Sequence, residues 1–77
     1  MAKLPRISGK ELGEVLLNIG FIFHHQTGSH AVFKHPDGRM VTVPMHSKEE
    51  LGPGLLIKII KRDLGLTREE FEKFLRD

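Results

Sequence analysis

The tripeptide Pro36-Asp37-Gly38 limits what this chain can become more than any other stretch. It sits between two runs with alternating side chains, Ser29 to His35 and Arg39 to Pro44. Proline suits the first turn position because its φ is already restricted. Glycine accepts the positive φ that a three-residue hairpin loop with a bulge requires. The turn therefore predicts an antiparallel hairpin and its register: His35 opposite Arg39, Phe33 opposite Val41, Ala31 opposite Val43. Successive side chains on a strand point to opposite faces. One face then carries Ala31, Phe33, Val41 and Val43. Phe21 and Phe23 join it from a third strand over Phe21 to Gln26, which Thr27-Gly28 ends. The other face carries His30, Val32, Lys34, Met40 and Thr42, joined by His24. The first face is apolar and reads as a core. The second is mixed and suits solvent or a partner.

Helices supply the cover for that core. Ser8-Gly9-Lys10-Glu11 reads as a capping box, opening a helix that runs to about Asn18. Leu12, Val15, Leu16 and Ile19 recur at i, i+3, i+4 and i+7, and Gly20 suits the left-handed position past the end. Met45 to Gly54 is a long connection for so small a protein, with room for a helical turn at Ser47 to Leu51. Long connections are often functional. Pro53 suits the first turn of a second helix. Its Leu55, Leu56, Ile59, Ile60 and Leu64 lie on one side, and Gly65 ends it. Thr67-Arg68-Glu69-Glu70 is another capping box, opening a short helix with Phe71, Phe74 and Leu75. The order α-β-β-β-α-α predicts an α+β two-layer sandwich, a three-stranded antiparallel sheet with helices on one face. The double-stranded RNA-binding domain has this order, although topology alone says little about function.

Composition removes several classes. A length of 77 residues allows a single domain over 1–77 with a small core. The absence of Cys excludes a disulfide framework and a thiolate zinc site. Apolar runs stop at three residues, as in Leu55-Leu56-Ile57, too short to span a membrane. Met1 to Pro5 lacks the apolar core of a secretion signal. A soluble, cytoplasmic protein is the expectation. The net charge of +2 hides an asymmetry. Through Arg62 there are nine Lys and Arg against five Asp and Glu; from Asp63 onward there are three against five.

The basic residues have a position-specific pattern. At helical spacing, Lys58, Lys61 and Arg62 share one side of the second helix, opposite Leu56, Ile59, Ile60 and Leu64. Such a stripe is either a solvated helix face or a ridge that holds a nucleic-acid backbone through charge. Lys3, Arg6, Lys10, Lys34 and Arg39 could extend it. There is no Tyr or Trp, and most Phe read as core, which disfavours a binder of single strands built on stacking.

The five histidines lack the spacing of a metal site: no His-x-x-x-His lies on a helix. His24 and His25 point to opposite faces if their segment is a regular strand. His30 stands apart in context. It follows Gly28-Ser29 at a strand start, on the face that carries Lys34, and Gly28 leaves room for a substrate backbone. Imidazole exchanges a proton near neutral pH. With cations nearby it suits RNA cleavage, in which the 2′-hydroxyl attacks its own phosphate and no metal is needed. An exposed structural histidine is the plainer alternative.

These residues also resemble a known family. Leu4-Pro5-Arg6-Ile7-Ser8-Gly9-Lys10-Glu11 is similar to the start of HicA-type toxins, also called YcfA-like proteins. Gly20-Phe21 with Gln26-Thr27-Gly28-Ser29-His30 resembles their next segment. His35-Pro36-Asp37-Gly38-Arg39, then Val41-Thr42-Val43-Pro44 with His46, then Glu50-Leu51-Gly52-Pro53-Gly54 continue the likeness in order. It covers about Lys3 to Leu66, and the tail from Thr67 suits the family's short acidic end.

The resemblance implies a toxin of a toxin–antitoxin pair, a small endoribonuclease that cuts mRNA, on a double-stranded RNA-binding-like fold. It implies His30 as the catalytic residue and a HicB-like antitoxin that covers the site. No cofactor is expected. Gly28, Ser29, Lys34, Lys10, Lys58, Lys61 and Arg62 are the candidate RNA contacts by chemistry and position. Where many members carry Arg before the Gln, this chain has His25, a titratable group in place of a fixed cation. The second acid or base is not marked by the motif; His24, His46, Lys34 and Ser47 have suitable chemistry. The alternative reading is a non-catalytic RNA-binding module on the same fold.

Overall fold

The computed structural model describes residues 6–45 and 50–76, with side chains through Leu75. Helix α1 spans Gly9–Ile19. Strands β1 (Ile22–Thr27), β2 (His30–Lys34) and β3 (Met40–Pro44) follow, then α2 (Pro53–Lys58), which continues as a π-helical turn over Ile59–Asp63, and α3 (Arg68–Arg76). The strands form one antiparallel sheet in the order β1-β2-β3. This is the expected α+β arrangement, in the expected order.

Local chemistry sets the boundaries. The Ser8 hydroxyl accepts from the Glu11 N–H at 3.2 Å, and the Glu11 carboxylate accepts from the Ser8 N–H at 3.0 Å. Two donors that the first turn of α1 would leave open are thereby satisfied. Gly20, at φ 115°, closes the helix by donating to the Leu16 and Leu17 carbonyls. Thr67 and Glu70 repeat the reciprocal cap at α3. In the β2–β3 hairpin the His35 N–H donates to the Arg39 carbonyl at 2.9 Å, and Gly38 takes φ 100°. Phe33 pairs with Val41 and Ala31 with Val43, as the turn predicts.

That register buries Ala31, Phe33, Val41 and Val43 under the helices, with Phe21 beside them. Leu12, Val15 and Leu16 of α1 cover them, and Leu56, Ile59, Ile60 and Leu64 pack in from the second helical segment. Phe71 of α3 and Ile7, ahead of α1, complete the cluster. Each of the larger of these side chains contributes about 1.5–3 kcal/mol when fully buried. The first turn of α1 lies directly on the end of β3: a Cβ at Gly9 would collide with the Pro44 carbonyl oxygen and lie 3.3 Å from Val43 Cγ1. Both close neighbours are inflexible, a backbone carbonyl and a β-branched core side chain. Gly9→Ala is therefore expected to destabilise the fold by about 1–3 kcal/mol, seen as a lower urea midpoint with an unchanged slope.

Several expectations need correction. Phe23 shares the face of Phe33 but remains 48% exposed, because β1 is an edge strand and its ring meets Phe33 only edge-on, at 5.7 Å. Leu55 is exposed rather than on the buried side; it lies in the first turn of α2, where only Leu56 turns inward. The second helix is not α-helical throughout: the Leu64 N–H donates to Ile59, five residues back, at 2.8 Å. Glu50 and Leu51 are not helical. Glu50 bridges Ser8, and the Leu51 N–H donates to the Ile7 carbonyl, tying the connection to the segment before α1. The rest of the predicted turn, Ser47 to Glu49, lies outside the described residues, as do His46 and Lys3.

Arg39 is engaged within the fold. Its Nε reaches Asp37 Oδ2 at 2.8 Å, and its Nη1 donates to the Leu64 carbonyl at 2.6 Å. Its guanidinium lies 5.2 Å from the centre of the Phe21 ring. It ties the hairpin turn to a helix end whose carbonyls favour a cation.

The Arg39 N–H bonded to Asp37 holds that carboxyl below its ordinary value of 3.8, helped by the guanidinium. The Thr67 N–H and hydroxyl do the same for Glu70 below 4.5. A carboxylate depressed in the folded state stabilises it above the ordinary value. That contribution fades as the pH falls through the depressed one. Acidification below these values is expected to lower the urea midpoint less in an Asp37→Asn/Glu70→Gln protein than in the wild type. Midpoints near neutrality and at about pH 3 test this.

Candidate active site

The β1–β2 connection is a two-residue turn, Gly28-Ser29, with Thr27 paired to His30. Gly28 has φ 58° and Ser29 does not have a positive φ, the pattern of a type II′ turn. A Cβ at Gly28 would meet nothing within 4 Å, so the backbone conformation, not packing, asks for glycine, and the space beside it is open. Gln26 Nε2 donates to the Gly28 carbonyl at 3.0 Å, and the Met45 N–H donates to the Ser29 carbonyl. The turn is thus held from both sides. It presents His30 as the first residue of β2, between Thr27 and Pro44. His30 is exposed on the sheet face opposite the helices, because its neighbour Ala31 is buried on the other.

The register of β1 slips between Phe23 and His25: Phe23 pairs with Phe33, and His25 pairs with Val32. His24 is the extra residue of a β-bulge, where two residues oppose one. His24 and His25 therefore do not point to opposite faces. Val32 belongs to the open face, and His25 with it. The His24 and His25 Nδ1 atoms lie 2.6 Å apart, with the rings edge to face. The open face consequently reads in rows: Ile22, Lys34 and Met40; then the histidine pair, Val32 and Thr42; then Thr27, His30 and Pro44. Lys34 and His24 also line a shallow depression of about 240 Å³ with Ile22, Phe23, His35 and Pro36.

The bulge left a signal in the sequence. Run back from Gly28-Ser29 without a bulge, the pairing sets Phe23 opposite Lys34 and His24 opposite Phe33. That contradicts the apolar pattern by one residue, and a bulge resolves such a conflict.

Not every candidate residue is brought together. Gly28, Ser29 and His30 are contiguous, and Lys34 lies on the same face four residues along β2. Lys10 is exposed on α1 and so belongs to the helical layer; Gly9 beside it packs against Pro44, the partner of His30. Lys58, Lys61 and Arg62 are exposed but belong to the helical layer, on the far side of the sheet from the His30 ring. His35 is fixed to the hairpin: its Nδ1 is 3.0 Å from Asp37 Oδ1, and its ring meets Phe21 edge-on at 5.0 Å. Among the described residues, no group of three or more His, Asp or Glu could hold a metal ion. None of the described helices is long and apolar enough to cross a membrane. Exposed imidazoles and a fixed cation in line on one surface can exchange protons and hold a phosphate.

The sequence model of a family described as HicA toxin of bacterial toxin-antitoxin matches residues 9–66, from the start of α1 to beyond the π-helical turn. No curated protein matches the chain.

Proposed function

The chain belongs to the HicA toxin family, and on that premise we propose that it is an endoribonuclease that cuts mRNA with His30 as a proton-transfer group. Membership implies an antitoxin partner; in this reading it is a HicB-like protein that covers the open face of the sheet, in the cytoplasm. The observation that carries the reading is the placement of His30. A pinned turn with open space at Gly28 exposes the ring on a surface that also bears Lys34.

The chemistry follows from those positions. An imidazole with a free lone pair takes the 2′-hydroxyl proton, or one carrying a proton gives it to the departing 5′-oxygen. Lys34, four residues along the same face, supplies fixed positive charge for the RNA backbone beside the cut. Gly28 and Ser29 allow the RNA backbone to come close. Lys58, Lys61 and Arg62 stand outside the reaction site and touch only RNA long enough to wrap around the molecule.

Purified protein incubated with RNA in EDTA tests the reading. It is expected to cut, leaving 2′,3′-cyclic phosphate and 5′-hydroxyl ends. Binding without turnover, or products ending in 3′-hydroxyl, would overturn it.

A further inference from the structure

We infer that His24 and His25 act as one proton-carrying unit that protonates the departing 5′-oxygen, opposite His30 as the base. This assignment rests on the ribonuclease reading above and adds the second proton-transfer group to it.

The bulge is the first support. It turns both rings onto the open face that carries His30. His25 lies two residues before Thr27, the residue paired with His30. Diagonal positions of this kind have Cβ atoms about 7–8 Å apart, within reach of aromatic side chains. Imidazoles at that separation can meet one phosphate from two sides. Among the described residues, the other charged or titratable groups facing the pair are Lys34 and His35, around the depression that His24 lines. Lys34 lies beyond the pair from His30, four residues along β2. Among the described residues the pair is therefore the titratable group next to His30 along the surface, and Lys34 is placed to hold an adjoining phosphate.

The contact between the rings is the second support. An Nδ1-to-Nδ1 distance of 2.6 Å requires one nitrogen to donate and the other to accept. In the neutral pair, one ring then has its hydrogen on Nδ1 and an open lone pair on Nε2; the other has its hydrogen on Nε2. Adding one proton fills the open Nε2. Both outward nitrogens then carry hydrogen, and the unit can only give a proton. A second added proton would set two N–H groups against each other and break the contact. While the contact lasts, the pair holds one added proton that it can give.

The step balances. His30 takes the 2′-hydroxyl proton as the 2′-oxygen bonds to phosphorus. The bond from phosphorus to the 5′-oxygen breaks, and that oxygen receives the proton of the histidine pair. The products are a 2′,3′-cyclic phosphate and a 5′-hydroxyl. His30 leaves charged and the pair neutral, and exchange with water resets both.

The test uses two RNAs, one natural and one with sulfur replacing the bridging 5′-oxygen at the position cut first. Sulfur departs as a thiolate and needs no acid. A His24→Gln/His25→Gln protein is expected to cut natural RNA at least about 10²-fold more slowly, yet to cut the sulfur RNA near the wild-type rate. Its rate on natural RNA is also expected to lose the fall at alkaline pH that an essential acid produces. His30→Ala is expected to slow both RNAs. Equal slowing of both by the double variant, or no slowing of the natural RNA, would overturn the assignment while leaving the ribonuclease reading intact. A wild type that cuts neither RNA would overturn the ribonuclease reading first.

Discussion

His30→Ala is expected to lower the rate of RNA cleavage by about 10²–10⁴-fold, the usual range for a positioned acid or base, while leaving the fold in place. The two parts of that expectation have separate grounds. The ring lies on the open face of the sheet, outside the buried cluster, so its removal leaves no cavity. Substitutions at such exposed positions change stability by about 0.5 kcal/mol or less. The turn before it is held by Gln26 and by the Met45 N–H, neither of which involves the imidazole. Single-turnover rates on one RNA, beside circular dichroism and a urea midpoint, check both parts. A variant that folds normally and cuts at the wild-type rate would remove His30 from the chemistry. Induced expression of the wild type, but not of the variant, should arrest growth.

Phe71→Ala is expected to have the largest effect on stability, about 3–5 kcal/mol. Phe71 is fully buried and is the largest of the side chains sealed within the core. It comes from α3, which begins after the last residue matched by the family model. A domain of this size holds only about 5–10 kcal/mol against unfolding, so one vacancy would take up a large share. Packing within α3 cannot compensate, because Phe74 and Leu75 are only partly buried against the same cluster. The prediction is a urea midpoint shifted to match that loss. A shift worth less than about 1 kcal/mol would show that α3 is an accessory rather than part of the core.

The helices and the β2–β3 hairpin were legible because their signals are local. Ser8 with Glu11, Thr67 with Glu70, and Gly20 and Gly38 at positive φ each meet their partners within a few residues. His30 was legible as well: the hairpin register decided its face, and Gly28-Ser29 before it marked its place near a strand start. The place of Arg39 in the fold was not legible from its charge. Its partner, the Leu64 carbonyl, lies twenty-five residues away, and no local pattern announces it.

The sequence by itself determined the order of the main elements, the inward face of the hairpin and the identity of its exposed histidine. These depend on backbone preferences and on side-chain periods of 2 and 3.6, which a linear pattern carries. Only the tertiary structure decided that His24 and His25 share a face, that Gly9 rests on Pro44, and that Arg39 reaches the Leu64 carbonyl. Each of those depends on how one element docks on another. A single bulged residue in β1 reverses the face of a side chain that strict alternation would assign elsewhere.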